Sequence, residues 1–286
     1  MIEPVPEQTL DIQHDTDPAQ DHGPARRIPH LGHAMLFFLI ALATYIVVAA
    51  TVLTIAHIRT DQQAMKHLGL QLFIQVMAYI LTLATVAWVF PRLWSKPFLR
   101  GIEWNWLAVR RYWLWIVPLG VVVSFAAQYA DIHIPQPKDT LDLFFDSTRN
   151  AWLLTACGVL LFPLVEEIAF RGFLLPALAT AYDWLALDRT PAGLHRWESS
   201  TAHSVPALIF ASIFSSLAFV SLHGPQLSFS LGFMGVLFVV SLVLSWVRIK
   251  FHSLASSVIV HAVYNLTTFA AAIIATGFYR HLDKLS

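Results

Sequence analysis

Two adjacent glutamates, Glu166 and Glu167, and an arginine, Arg171, stand in a stretch that is otherwise as apolar as a membrane span: LLFPLVEEIAFRG, Leu160 to Gly172. In lipid each such charge costs roughly 2.5–3.5 kcal/mol at a helix centre, so their presence calls for a use. On a helix Glu167 and Arg171 are four apart and share a face, whereas Glu166 is turned about 100° away. The spacing predicts one carboxylate neutralised by the arginine and one left for chemistry. Phe219 and His223 are four apart, as are His261 and Asn265, so each pair lines one face of its own helix. Three helices can therefore bring these groups to one site.

Each residue also has a plain structural explanation. A histidine near a span end is commonly interfacial, and Glu167 with Arg171 reads as a structural ion pair. Those explanations do not cover an unpaired Glu166 together with two intramembrane histidines and an asparagine. A carboxylate in a partly desolvated pocket acts as a general base on water, and a neighbouring imidazole holds that water or shares its proton. Glu166 and His223 fit these roles. His261 and Asn265, one turn apart, fit as hydrogen-bond donors to the oxyanion of an attacked amide. The set points to hydrolysis of a peptide bond in or beside a bilayer. No serine or cysteine nucleophile is indicated, and there is no G-x-S-x-G, no H-E-x-x-H and no phosphate-cradling glycine loop.

The elements that carry these residues are membrane helices. Hydrophobic residues make up 57% of the chain and charged ones 13%, against roughly 45–50% and 25% in soluble domains. The expected fold is all-α, a polytopic transmembrane bundle with an intramembrane polar cavity. Net charge is zero and no basic stripe occurs, which argues against a nucleic-acid partner. Cys157 is the single cysteine, so no internal disulfide forms. Met1 to Leu31 is acidic and proline-containing without an apolar core, and is expected to be a mobile soluble tail rather than a signal peptide. Residues 32–150 then form N-terminal transmembrane helices, and 151–286 the part that bears the site.

The spans are expected at His33 to Ile58, Gly69 to Phe90, Tyr112 to Ala130, from Ala151 through the glutamates, Val205 to Leu222, Leu231 to Val247 and Leu254 to Gly277. That makes seven, or eight if the apolar Phe173 to Leu187, expected as an interfacial or re-entrant helix, crosses too. Between spans two and three Arg92, Lys96, Arg100, Arg110 and Arg111 face one acid, Glu103. The positive-inside rule puts that loop and the N-terminus in the cytoplasm, and the flanking tryptophans suit an interfacial belt. Asp131 to Asn150, richer in aspartate, is expected outside. One conflict remains at this stage: a fifth helix crossing fully from the cytoplasm carries His223 to the far face, away from Glu166, so that helix must begin deeper or tilt.

The three motifs, E-E-x-x-x-R-G at Glu166, Glu167, Arg171 and Gly172, F-x-x-x-H at Phe219 and His223, and H-x-x-x-N at His261 and Asn265, resemble in order those of the CAAX-processing and bacteriocin-processing (CPBP) family of intramembrane proteases. The likeness covers roughly Ala151 to Thr268. It implies a helical membrane fold with a cavity open to water, Glu166 and His223 activating water, and His261 and Asn265 binding the oxyanion. Glu167, Arg171 and Phe219 would support them. No cofactor is expected: zinc is the alternative because Glu and His also ligate metal, but Asn265 is a poor zinc ligand and its one-turn relation to His261 suits paired donors to an oxyanion; the substrate is expected to be a membrane-associated protein or peptide. A bacterial inner membrane is the expected setting. The competing readings are a proton-coupled transporter, for which paired broken helices in two repeated halves are missing, and a non-catalytic immunity or scaffold protein that retains the site.

Overall fold

The computed structural model describes residues 27–59, 68–135 and 147–282. Most of the expected tail, and the middle of the loop expected outside, lie beyond the described residues. Seven described helices are long and apolar enough to cross a membrane, and no strand occurs among the described residues. They are α1 (Leu31–Ile55), α2 (Leu68–Trp94), α3 (Trp106–Ile132), α4 (Thr148–Leu185), α6 (Val205–His223), α7 (Leu231–Lys250) and α8 (Leu254–Ala275). The protein is an all-helical integral membrane protein. Two units are distinguished, one containing 187–202 and the other Arg27–Ala186 with His203–Ser286. In the first, the short helix α5 (Pro191–Ser199) is started by Thr190, whose hydroxyl accepts from the Gly193 N–H.

Side chains mark where the spans begin. Asn105, Ser147, Ser204 and Ser253 cap α3, α4, α6 and α8 by accepting a backbone N–H two or three positions into the helix. Such a cap satisfies one of the first-turn donors that has no partner within the helix, and is worth about 1 kcal/mol.

The fourth span departs from expectation. Phe173 to Leu187 does not form a separate interfacial or re-entrant helix: Thr148–Leu185 is one continuous helical run of 38 residues. It contains two π-helical segments, Cys157–Leu161 and Ile168–Leu174. Each is followed within two residues by a proline, Pro163 or Pro176, in the first turn of the α-helix that resumes. A proline lacks the N–H and crowds the preceding turn. The extra residue per π turn absorbs that misfit, so the helix carries on where hydropathy suggests a break.

This length also removes the conflict over His223. Asp183, near the end of α4, accepts hydrogen bonds from Ser204 N (3.3 Å), Ser204 Oγ (2.6 Å) and His203 Nδ1 (2.9 Å). The start of α6 is thereby tied to the far end of α4, and α6 runs back antiparallel. Ser215 Oγ meets the Phe170 carbonyl at 3.1 Å, and His223 arrives at the level of Glu166.

Two further ends fix the depth of that level. Phe173 on α4 packs against Phe37, Phe90 and Trp94 of α1 and α2, with ring centroids 4.7, 4.6 and 5.6 Å apart. Arg248, at the end of α7, pairs with Glu103 at 2.8 Å, and the Leu254 N–H donates to the Glu103 carbonyl. The 95–105 and 248–254 loops therefore share one end of the bundle. A Cβ on Gly172 would lie 3.2 Å from Leu254, so the start of α8 is at this end too. His261 is seven residues further along, about 10 Å at 1.5 Å per residue.

Lipid is as apolar as the side chains, so packing here depends on close approach and interhelical hydrogen bonds rather than on escape from water. Thr44 and Thr82 join α1 to α2 at 2.6 Å, and Ser124 and Thr268 join α3 to α8 at 3.0 Å. Gly120 permits the α3–α8 crossing: a Cβ there would stand 2.8 Å from the Val260 carbonyl.

Candidate active site

Glu166 and Glu167 follow the π segment of α4 at Cys157–Leu161 and precede the second. The helix turns them in different directions, as their spacing predicts. Glu167 is wholly buried and fully engaged: Oε1 accepts from Arg171 Nη1 at 2.8 Å and from His261 Nδ1 at 3.0 Å, and Oε2 accepts from the Ser257 hydroxyl. Arg171 is equally buried. Its Nη2 donates to Ser241 O (2.7 Å) and Oγ (2.6 Å), Nε to Ser245 Oγ (3.4 Å), and its guanidinium lies 5.0 Å from the Phe219 ring. The pair is thus a closed knot joining α4, α6, α7 and α8, with the charge of each partner met by the other and the remaining polar atoms bonded.

Glu166 keeps its own direction, with 16% of its side chain exposed. Its Oε1 is 3.9 Å from His223 Nε2 and its Oε2 is 3.7 Å from His261 Nε2. Both gaps exceed a direct hydrogen bond. The other ring nitrogens are already committed: His223 Nδ1 donates to the Phe219 carbonyl at 2.8 Å, and His261 Nδ1 to Glu167. In the neutral ring a proton on Nδ1 leaves Nε2 as a lone pair. Three acceptors, one carboxylate and two imidazole nitrogens, therefore converge, and they are compatible only with a donor or a cation among them. Among the described residues no group of three or more His, Cys, Asp and Glu is arranged as a metal site.

Of the sequence-predicted residues, Glu166, Glu167, Arg171, Phe219, His223 and His261 come together. Phe219 contributes twice, through its carbonyl to His223 and its ring to Arg171. Asn265 is one turn beyond His261 on the same face of α8, and its Nδ2 donates to the Gly158 carbonyl in the π segment at 2.6 Å. One of its two N–H groups is thus used to hold α8 against α4. Sequence reasoning missed three serines. Ser257 stands four before His261, and Ser241 and Ser245 are four apart on α7, so the face-sharing rule that grouped the other residues reaches these as well.

No curated protein and no solved structure matches the chain. Residues 148–267, a stretch that contains every residue of the site, match the family model described as Type II CAAX prenyl endopeptidase Rce1-like.

Proposed function

We propose that the protein is an intramembrane endopeptidase of the glutamic type, and that residues 151–286 are its catalytic part. The observation that carries this reading is the convergence of the Glu166 carboxylate and the two Nε2 lone pairs, which a single water can reconcile by donating to two of them. Glu166 takes a proton from that water while His223 accepts its second hydrogen. The resulting hydroxide attacks the peptide carbonyl. The third acceptor, His261 Nε2, takes a proton from solvent before the step and keeps it throughout; with its Nδ1–H held by the Glu167 carboxylate, the ring then donates a hydrogen bond from Nε2 to the oxyanion, with the free N–H of Asn265 as second donor. The proton on Glu166 passes to the leaving amine, so one water is consumed and one acid and one amine are released.

The substrate is a membrane-associated protein or peptide in this reading. The setting is a bacterial inner membrane with the N-terminus and the 92–111 loop in the cytoplasm. In cells, Glu166→Gln keeps the size of the side chain and removes the base. The inserted, abundant variant should accumulate uncut the membrane proteins that the wild type shortens, detected by comparing protein termini. Equal termini in the two strains would instead favour a non-catalytic immunity or scaffold role.

The same convergence of acceptors also suits zinc, and a histidine oriented by a carboxylate through Nδ1 is common at such centres. Tetrahedral ligands at about 2.0–2.1 Å stand roughly 3.4 Å apart, somewhat closer than the distances found. No cofactor is needed in the proposed route. Purified protein stripped by a strong chelator, and metal-free by elemental analysis, should keep its activity; loss on stripping with recovery on adding zinc would establish the metal route.

A further inference from the structure

Between α1, α2 and α4 is a cavity of about 150 Å³ with Glu166 in its wall. Phe38, Ala41, Ala78, Val165 and Phe170 supply most of the apolar lining. Tyr45 and Leu222 also line it and are 46% and 66% exposed, so the cavity is open on a side that faces lipid. Two of its other polar groups, at Thr82 and Tyr79, are occupied, and Tyr45 stands at the exposed rim. The Thr82 hydroxyl is bonded to Thr44 and to the Ala78 carbonyl, and Tyr79 is bonded to Gln75. What remains is an apolar hollow that runs up to the carboxylate placed to activate water.

Size selects the occupant. An apolar cavity of about 150 Å³ takes up a molecule the size of benzene, so a phenyl or isobutyl group fits and a long lipid chain does not. Lipid is itself apolar, so a side chain gains little here by mere transfer and is sorted by shape. We infer that this cavity is a specificity pocket that holds one large apolar side chain of the substrate, of the Leu, Met or Phe class, next to the bond that is cut. The inference rests on the proposed peptidase activity and adds a substrate class to it. Reaching the pocket from the lipid side also suits a membrane-embedded segment, which need not pass through water.

Purified full chain in nanodiscs, given a pool of synthetic single-span peptides with randomised residues, tests this by sequencing the new termini. Large apolar residues should be enriched at one position within two residues of the cut. Ala41→Phe, which fills the pocket, should lower the large-over-small ratio at that position by at least about tenfold, within the range that one or a few methylenes command. Phe38→Ala should move the preference toward Trp. Cleavage without such a position, or with a ratio unchanged in both variants, overturns the pocket and leaves the peptidase standing. If the wild type cuts nothing, the peptidase reading falls, and the pocket is judged by Glu166→Gln protein with peptides carrying a diazirine leucine. Labelling at Phe38 or Val165 that Ala41→Phe blocks supports it; labelling spread over the outer helix faces overturns it.

Discussion

The two neighbouring glutamates differ in what surrounds them, and a substitution at each partner should separate chemistry from folding. Arg171 has no solvent to replace it: removing the guanidinium leaves the Glu167 carboxylate buried beside only His261 and Ser257. Breaking a buried pair from one side typically costs roughly 3–5 kcal/mol. Arg171→Ala should therefore reduce the amount of folded protein in the membrane, measured by protease resistance and fluorescence-detected chromatography, whereas Glu166→Gln should not. Equal yields of the two variants would contradict the division of roles. Which carboxylate meets the arginine was readable from the sequence, because a four-residue spacing on a helix decides it. The bond from Glu167 to His261 was not readable, since it joins residues 94 apart on different helices, and spacing within one helix says nothing about contacts between helices.

Among the helices, the course of α4 decides whether the motifs can meet. Hydropathy located six of the seven spans to within two turns, yet it treated Phe173 to Leu187 as a separate piece, because Ala151 to Gly172 is already long enough to cross the hydrocarbon layer and π turns leave no signature in composition. Gly158 is where this irregular helix touches α8. A Cβ there would lie 2.7 Å from Phe269 Cε2, a distance that forces a shift, and the same residue's carbonyl receives Asn265. Overpacking of this kind costs about 1–3 kcal/mol, and here it pushes α8 away from α4 along the line that positions His261 and Asn265. Gly158→Ala should lower kcat more than it raises KM on a cleaved reporter peptide, and adding Phe269→Ala should restore much of the loss. A double variant no better than the single one would show that the contact does not position the site.

For the whole molecule the governing quantity is depth. At 1.5 Å per residue α4 is roughly 57 Å long against a hydrocarbon layer of about 30 Å, so it must tilt or extend beyond the layer. The Phe173–Trp94 packing and the Arg248–Glu103 pair place the basic 92–111 loop, the α7–α8 turn and the start of α8 at one end. The site lies about 10 Å in from that end along α8, and α4 continues past this level toward Leu185 with α6 bound alongside. A hydrolase needs water, and water reaches a shallow site from the nearer face. In the proposed orientation, which follows the positive-inside rule from the excess of Lys and Arg in the same loop, that face is the cytoplasmic one. Reporters fused at Lys96 and at His252 should accordingly give the same, cytoplasmic signal, and one fused near Gln136 the opposite. A membrane-impermeant inhibitor of cleavage should then act on inside-out vesicles and not on intact cells. Matching signals at Lys96 and Gln136 would break the span count. Inhibition from the outer face alone, with the reporters as expected, would mean that water and substrate reach Glu166 by the longer path.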